Sequence, residues 1–132
     1  MIGLDTNILI RYIMQDDPVQ SAKAVRIIER NFTEQSPAFI SLASVLETAW
    51  VLESVYGLSH QQVAQAMERM LQIDALMIQN EHEVSAAART LKTGQGSFDD
   101  ALIGTLGLWA GCTSTLTFDK KASRLQGFEL IS

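Results

Sequence analysis

The chain begins with the segment MIGLDTNILI, residues 1–10, which gives the clearest indication of the fold class. Residues 2–4 form a short apolar run, which predicts a buried strand. Asp5, Thr6 and Asn7 then offer N-caps for a helix over residues 8–14. A strand that leads directly into a helix is the start of an α/β unit. The opening therefore predicts a carboxylate at the end of the first strand.

The rest of the chain alternates in the same way between short apolar runs and longer stretches with helical spacing. Further strands are predicted at residues 38–40, 76–78 and 115–118, and residues 128–131 offer a fifth. Helices are predicted between them, with a break at Gly94, Gln95 and Gly96 before the last one. Because helical crossovers join the strands, we expect an α/β fold with a mostly parallel sheet of four or five strands.

Length and charge limit the possible function classes. The 132 residues have room for one hydrophobic core, and no linker or repeat divides them, so we expect a single domain over residues 1–132. The net charge of −5 argues against a protein whose whole surface binds nucleic acid, so any such contact should be local. A lone cysteine, Cys112, excludes a disulfide framework, and no export signal or membrane span is visible. We expect a cytoplasmic location.

Four acidic side chains occupy positions from which they can share one edge of the sheet. They are Asp5, Glu47, Asp100 and Asp119. Two of them follow strands directly, and the other two lie near the starts of helices. Ligands of open parallel sheets bind beyond the carboxyl ends of the strands. Crowded carboxylates repel one another unless they are protonated or neutralised by cations. With no histidine or thiolate at ligand spacing, an all-oxygen site favours Mg²⁺ or Mn²⁺, which suits phosphodiester hydrolysis.

Each acid also has a purely structural interpretation. Asp5 can serve as an N-cap, Asp100 as the acidic member of a capping box with Ser97, and Asp119 as a turn residue. Glu47 lies among apolar neighbours, where an unpaired carboxylate is costly to bury unless that edge of the helix faces solvent. The functional interpretation depends on the four together.

Four segments of the chain resemble the PIN domain family. They are MIGLDTNIL at residues 1–9, SLASVLE at 41–47, SFDDALI at 97–103 and TLTFD at 115–119. Their order and spacing cover essentially the whole chain, and the compact length is similar to that of VapC-like toxins of toxin–antitoxin pairs. The resemblance implies a PIN-like α/β/α sandwich and a Mg²⁺- or Mn²⁺-dependent endoribonuclease. It also implies a homodimer and a small antitoxin that holds the enzyme inactive.

The resemblance also implies roles for individual residues. Asp5, Glu47, Asp100 and Asp119 match the family's acidic quartet, with Asp5 and Asp100 closest to the metal ion. Glu47 and Asp119 would complete the shell, orient the attacking water or hold a second ion. Thr117 matches a position that often carries a hydroxyl and steadies a water there.

The chain departs from the family pattern at one place. Many relatives have an acid where Ser97 stands and a small residue where Asp99 stands. Neighbouring helical residues point about 100° apart, so only one of Asp99 and Asp100 can face a given spot directly. The register of the following residues favours Asp100, and Asp99 is the alternative.

Basic and aromatic residues carry weaker signals. Candidates for contact with RNA phosphates are Arg11, near the acidic edge, and the helical stripe of Lys23, Arg26 and Arg30, for which a solvated face is an equally simple explanation. Histidines 60 and 82 are interpreted as surface or capping residues, and tryptophans 50 and 109 as core residues.

Two other functions remain open. A phosphoacceptor receiver domain has a similar length and Mg²⁺-binding acids at strand ends. It requires a second acid beside Asp5 and an aspartate after the middle strand, where this chain has Thr6 and Gln79. A PIN-like scaffold that binds RNA or protein without cleaving is the other alternative. The changes at Ser97 and Asp99 leave it open, whereas the four retained acids favour the nuclease.

Overall fold

The computed structural model describes residues 1–93 and 96–131. The helices in these ranges are α1 (Thr6–Met14), α2 (Pro18–Asn31), α3 (Leu42–Ser54), α4 (His60–Leu71), α5 (Glu81–Leu91) and α6 (Phe98–Trp109). The strands are β1 (Ala38–Ile40), β2 (Leu76–Ile78), β3 (Thr115–Thr117) and β4 (Phe128–Leu130), and a short 3₁₀ turn, Ala122–Arg124, lies between the last two. The predicted break at residues 94–96 lies partly outside the described residues, since Gly94 and Gln95 are not among them.

Short polar side chains accept hydrogen bonds from backbone N–H groups at the starts of several helices. The Asp5 carboxylate accepts a hydrogen bond from the Thr6 N–H at 2.7 Å, so α1 begins two residues earlier than predicted. Asp17 caps α2, with Pro18 in the first position. Ser59 and Gln62 form a reciprocal capping box at the start of α4.

The strands are parallel, as predicted, but they do not form one continuous sheet. β1 pairs with β2, and β3 pairs with β4, in two separate ladders of three residues each. The predicted first strand is reduced to one parallel bridge between Gly3 and Phe39, and Ile2 is 63% exposed. The expectation of a continuous sheet of four or five strands and of a buried first strand is therefore wrong for the residues that the structure describes.

The β3–β4 ladder packs closely against α6. A Cβ atom at Gly104 would lie 2.7 Å from the Phe128 ring, and one at Gly107 would lie 2.6 Å from the Thr115 hydroxyl. Only glycine allows backbones to approach so closely. The β3–β4 ladder thus packs on α6. Among the residues that the structure describes, residues 2–4 pair by backbone hydrogen bonds with β1 alone.

The core forms between the helices and the β1–β2 ladder. Its largest fully buried side chains include Leu52, Met67, Leu91, Phe98 and Leu102. The expectation that both tryptophans belong to this core is wrong, because Trp50 is 62% and Trp109 is 56% exposed. Helices α3 and α6 are apolar around most of their circumference, so spacing alone does not reveal which face turns inward. None of the described helices combines the length and apolar character that crossing a bilayer requires.

Candidate acidic site

Asp5 and Glu47 share one surface cavity. Asp5 lies at the N-terminus of α1 and Glu47 in the second turn of α3, and both side chains are exposed. They line a cavity of about 340 Å³ together with Arg11 and Tyr56. The exposed position of Glu47 removes the cost of burying it and leaves its carboxylate available to a ligand.

Asp100 and Asp119 share a second cavity, of about 400 Å³. The Ser97 hydroxyl caps α6 by accepting a hydrogen bond from the Asp100 N–H at 3.4 Å. Burial raises the pKa of the Asp100 carboxyl above its usual range, and the charges of Asp99 and Asp119 raise it further, whereas hydrogen bonding by Ser97 opposes this. The pair is therefore electrostatically strained in a way that a bound cation would relieve.

Local hydrogen bonds fix Asp119 after β3. Its N–H donates to the Thr117 hydroxyl at 3.0 Å, and its carboxylate accepts from the Lys121 N–H at 2.8 Å. Thr117 thus holds the backbone of the turn, which is a contact that the sequence did not predict. The role of Thr117 toward a water stays a prediction.

Asp99 faces a third cavity, of about 290 Å³, which it shares with Glu47 and Phe98. The Ser97 hydroxyl donates to the Asp99 carboxylate. Asp99 and Asp100 therefore point into different cavities, as adjacent helical residues should. Glu47 lines both this cavity and the one containing Asp5, so these two cavities adjoin at Glu47.

The acidic quartet is arranged as two pairs and not as one cluster. Within residues 1–93 and 96–131, no three histidine, cysteine or carboxylate side chains are close enough together to hold a metal ion. Asp5 follows the segment that bridges to β1, whereas Asp119 lies two residues after the end of β3, in the other ladder.

The Asp100 and Asp119 pair suits a hard divalent cation. Both donors are carboxylate oxygens, and Mg²⁺ is typically held by one or two carboxylates while it keeps several of its own waters. The pKa of Asp100 is raised first by burial and then by the charges of Asp99 and Asp119, and a bound cation would favour the charged carboxylate against all three. The donor chemistry therefore agrees with the predicted Mg²⁺ or Mn²⁺, and selects against a soft metal that needs sulfur ligands.

The basic residues predicted to contact RNA differ in their surroundings. Arg11 lines the cavity of Asp5, but its guanidinium donates to Asp16 at 3.1 Å and to the Tyr56 hydroxyl at 3.1 Å. Residues Lys23, Arg26 and Arg30 are exposed on α2 and line none of the three acidic cavities. Arg11 is thus placed near the acids but engaged within the protein.

Two residues near the site were not singled out for it by sequence reasoning. His60, interpreted as a surface or capping residue, lines the cavity of Asp100. Its Nε2 lies 3.6 Å from Oε1 of Glu53 on α3, an oxygen that is buried without a hydrogen-bond partner. In the sequence, Glu53 and His60 lie on either side of the turn at Gly57, between α3 and α4. This arrangement is the signal that could have identified the two residues.

Glu53→Gln should stabilise the chain at neutral pH. Burial raises the pKa of Glu53 above 4.5, and Asp99 and Asp100 add to this, whereas His60 opposes it. When the pKa of a carboxyl is higher in the folded state than in the unfolded state, the protonated group stabilises the fold at pH values below the unfolded-state pKa. This stabilisation is lost as the pH rises through the folded-state pKa. We therefore expect a gain of less than about 1 kcal/mol at pH 7, since the side chain is partly solvated, and a smaller gain toward pH 4.5.

Urea unfolding of wild type and Glu53→Gln across this pH range tests the expectation. Glu29→Gln, on the exposed face of α2, removes the same charge away from the acids and serves as the control. A Glu53→Gln variant less stable than wild type at pH 7 would show that the contact with His60 outweighs burial.

The sequence model of the PIN domain family matches residues 2–127. A search of curated proteins gave no match.

Proposed function

Because the chain belongs to the PIN domain family, we propose that it is a metal-dependent endoribonuclease that acts in the cytoplasm. PIN domains are typically nucleases. The observation that carries the proposal is the placing of Asp100 and Asp119 on one cavity, where burial and like charge raise the pKa of Asp100. Family membership leaves no support for the receiver-domain alternative.

The proposed mechanism divides the work between the two acidic pairs. Asp100 and Asp119 would hold the divalent ion, and the exposed carboxylates of Asp5 and Glu47 would orient the attacking water. When bound, Mg²⁺ or Mn²⁺ lowers the pKa of a coordinated water and stabilises charge on the phosphate oxygens. The Lys121 N–H orients the Asp119 carboxylate, and the Thr6 N–H orients that of Asp5. The predicted direct contact of Asp5 with the ion remains a proposal.

We further propose that the chain is the toxin of a toxin–antitoxin pair and works as a homodimer. The similarity to VapC-like toxins supports both points. An acidic edge is suited to accept a basic side chain of a small antitoxin, which would compete with the metal ion. Size-exclusion chromatography of the chain, alone and mixed with the product of a neighbouring small gene, would test the assembly.

Cleavage of total cellular RNA by the purified chain tests the ribonuclease proposal. We expect discrete fragments with Mg²⁺ or Mn²⁺ and none with EDTA or with an Asp5→Asn variant purified identically, which controls for contaminating nucleases. Attack by an activated water should leave 5′-phosphate and 3′-hydroxyl ends. A cyclic phosphate on the fragments would reject this mechanism.

The separation of the acids into two pairs favours a second candidate, a scaffold that binds RNA or protein without cleaving it. Wild type and Asp5→Asn that both leave RNA intact with every metal, while still binding a partner, would support the scaffold.

A further inference from the structure

We propose that Lys121 and Arg124 form a phosphate-binding pair that holds the RNA strand beside Asp100 and Asp119. This inference rests on the proposed ribonuclease function and names the residues by which that site engages its substrate. The pair lies outside the basic residues that the sequence suggested for RNA contact.

The geometry of one short turn places the two side chains together. Lys121 has helical backbone angles (φ −68°, ψ −47°), and the N–H of Arg124 donates to its carbonyl at 3.2 Å. Side chains three residues apart lie above one another in a 3₁₀ turn. Both residues line the cavity that contains Asp100 and Asp119.

The opposite face of this turn anchors it. Ala122 and Leu125 are only 2% and 4% exposed, so they fix the turn in the core. Asp119 closes the other end, because its backbone carbonyl accepts from the Ser123 N–H at 3.0 Å and its carboxylate from the Lys121 N–H. The anchored turn consequently holds Lys121 and Arg124 at the cavity.

Both cations retain their capacity to bind an anion. Within residues 1–93 and 96–131, neither side chain donates a hydrogen bond or forms an ion pair. Lys92, by contrast, pairs with Glu68 at 2.6 Å, and Arg11 is engaged by Asp16. The carboxylates of Asp100 and Asp119 therefore do not neutralise the two cations that share their cavity.

Electrostatics explains why RNA needs such a pair. The chain carries a net charge of −5, and its acids would repel a polyanion approaching this edge. The positive charges of Lys121 and Arg124 offset the negative charges of Asp100 and Asp119 and would hold a phosphate beside the site. Phosphate contacts position a strand without reading its sequence, so the pair should act on any single-stranded RNA.

Fluorescence anisotropy with a short, labelled, single-stranded RNA of mixed sequence tests the proposal. EDTA is present throughout, so that the strand is not cleaved. In single-stranded binding each phosphate contact is worth about fivefold in affinity at about 0.1 M monovalent salt. We expect K121A/R124A to bind about 25-fold more weakly and to reduce the slope of log K against log salt by about 1.4.

The chain supplies matched controls for both changes. Lys120→Ala removes a lysine immediately before Lys121 that does not line the cavity, and R69A/R89A removes two exposed charges, from α4 and α5, that line none of the three acidic cavities. Each control should change affinity by less than about twofold, because exposed distant charges are screened. Thermal unfolding of each variant at the wild-type midpoint establishes that the fold is intact.

The outcomes separate this inference from the proposed function. If K121A/R124A has the same affinity and salt slope as R69A/R89A, the phosphate pair is overturned, even if wild type cleaves RNA. No measurable RNA binding by wild type would overturn it too. A large loss confined to K121A/R124A, with no cleavage by wild type in any metal, would support the pair and reject the nuclease.

Discussion

Asp100→Asn is expected to lower metal-dependent RNA cleavage by about 10³-fold. Asp100 shares its cavity with Asp119, and burial together with neighbouring charge raises the pKa of the Asp100 carboxyl. We therefore expect a cation bound in this cavity to interact most strongly with the Asp100 carboxylate. Losing several kcal/mol of charge stabilisation corresponds to about a thousandfold in rate. Initial cleavage rates of a labelled RNA at fixed Mn²⁺ measure the loss.

Asp99→Asn is the matched control, because it removes the same charge one residue away. Asp99 is exposed and faces the cavity of Glu47 and Phe98, so we expect a loss of less than about tenfold. Thermal unfolding with and without Mn²⁺ adds a second measurement, since an ion that binds only the folded state raises the midpoint. This rise should vanish in Asp100→Asn and persist in Asp99→Asn. The opposite order of the two variants would assign the role to Asp99.

Phe98→Ala is expected to destabilise the chain by about 3–5 kcal/mol, a large part of the roughly 5–15 kcal/mol that stabilises a typical domain. Phe98 is 1% exposed and begins α6, directly before Asp99 and Asp100. Removing its ring leaves a cavity under the first turn of the helix that carries both acids. Urea unfolding monitored by circular dichroism measures the effect.

Phe118→Ala is the control for this substitution. The Phe118 side chain is 83% exposed, so the same truncation should change the free energy of unfolding by less than about 0.5 kcal/mol. Similar losses in both variants would mean that burial does not decide the effect. A loss of less than about 1 kcal/mol for Phe98→Ala would contradict the packing of α6 described above.

Much of the secondary structure follows from local chemistry and was predictable. Asp5, Asp17 and Ser59 satisfy N–H groups that a helix leaves unpaired at its start, and each begins a helix where the sequence indicates. The runs at 38–40, 76–78 and 128–130 are strands. Such signals involve residues within a few positions of one another.

The arrangement of the acids was less predictable, because it depends on which strands become neighbours. Spacing predicted that Asp5 and Asp119 directly follow strands, but residues 2–4 form only one bridge, and β3 ends two residues before Asp119. Gly104 and Gly107 let the β3–β4 ladder pack closely against α6, a contact between distant parts of the chain. The assignment of the acids as catalytic residues stays a prediction that the proposed variants test.

The sequence by itself determined the helices, the short parallel strands, the four acids and the PIN family to which they belong. Tertiary structure alone decided that Asp99 and Asp100 face different cavities, that Trp50 is exposed, and that Lys121 and Arg124 accompany the acids. The reason is physical. Caps and periodicity act between residues close in the chain, whereas the surroundings of a charge depend on elements that only packing brings together.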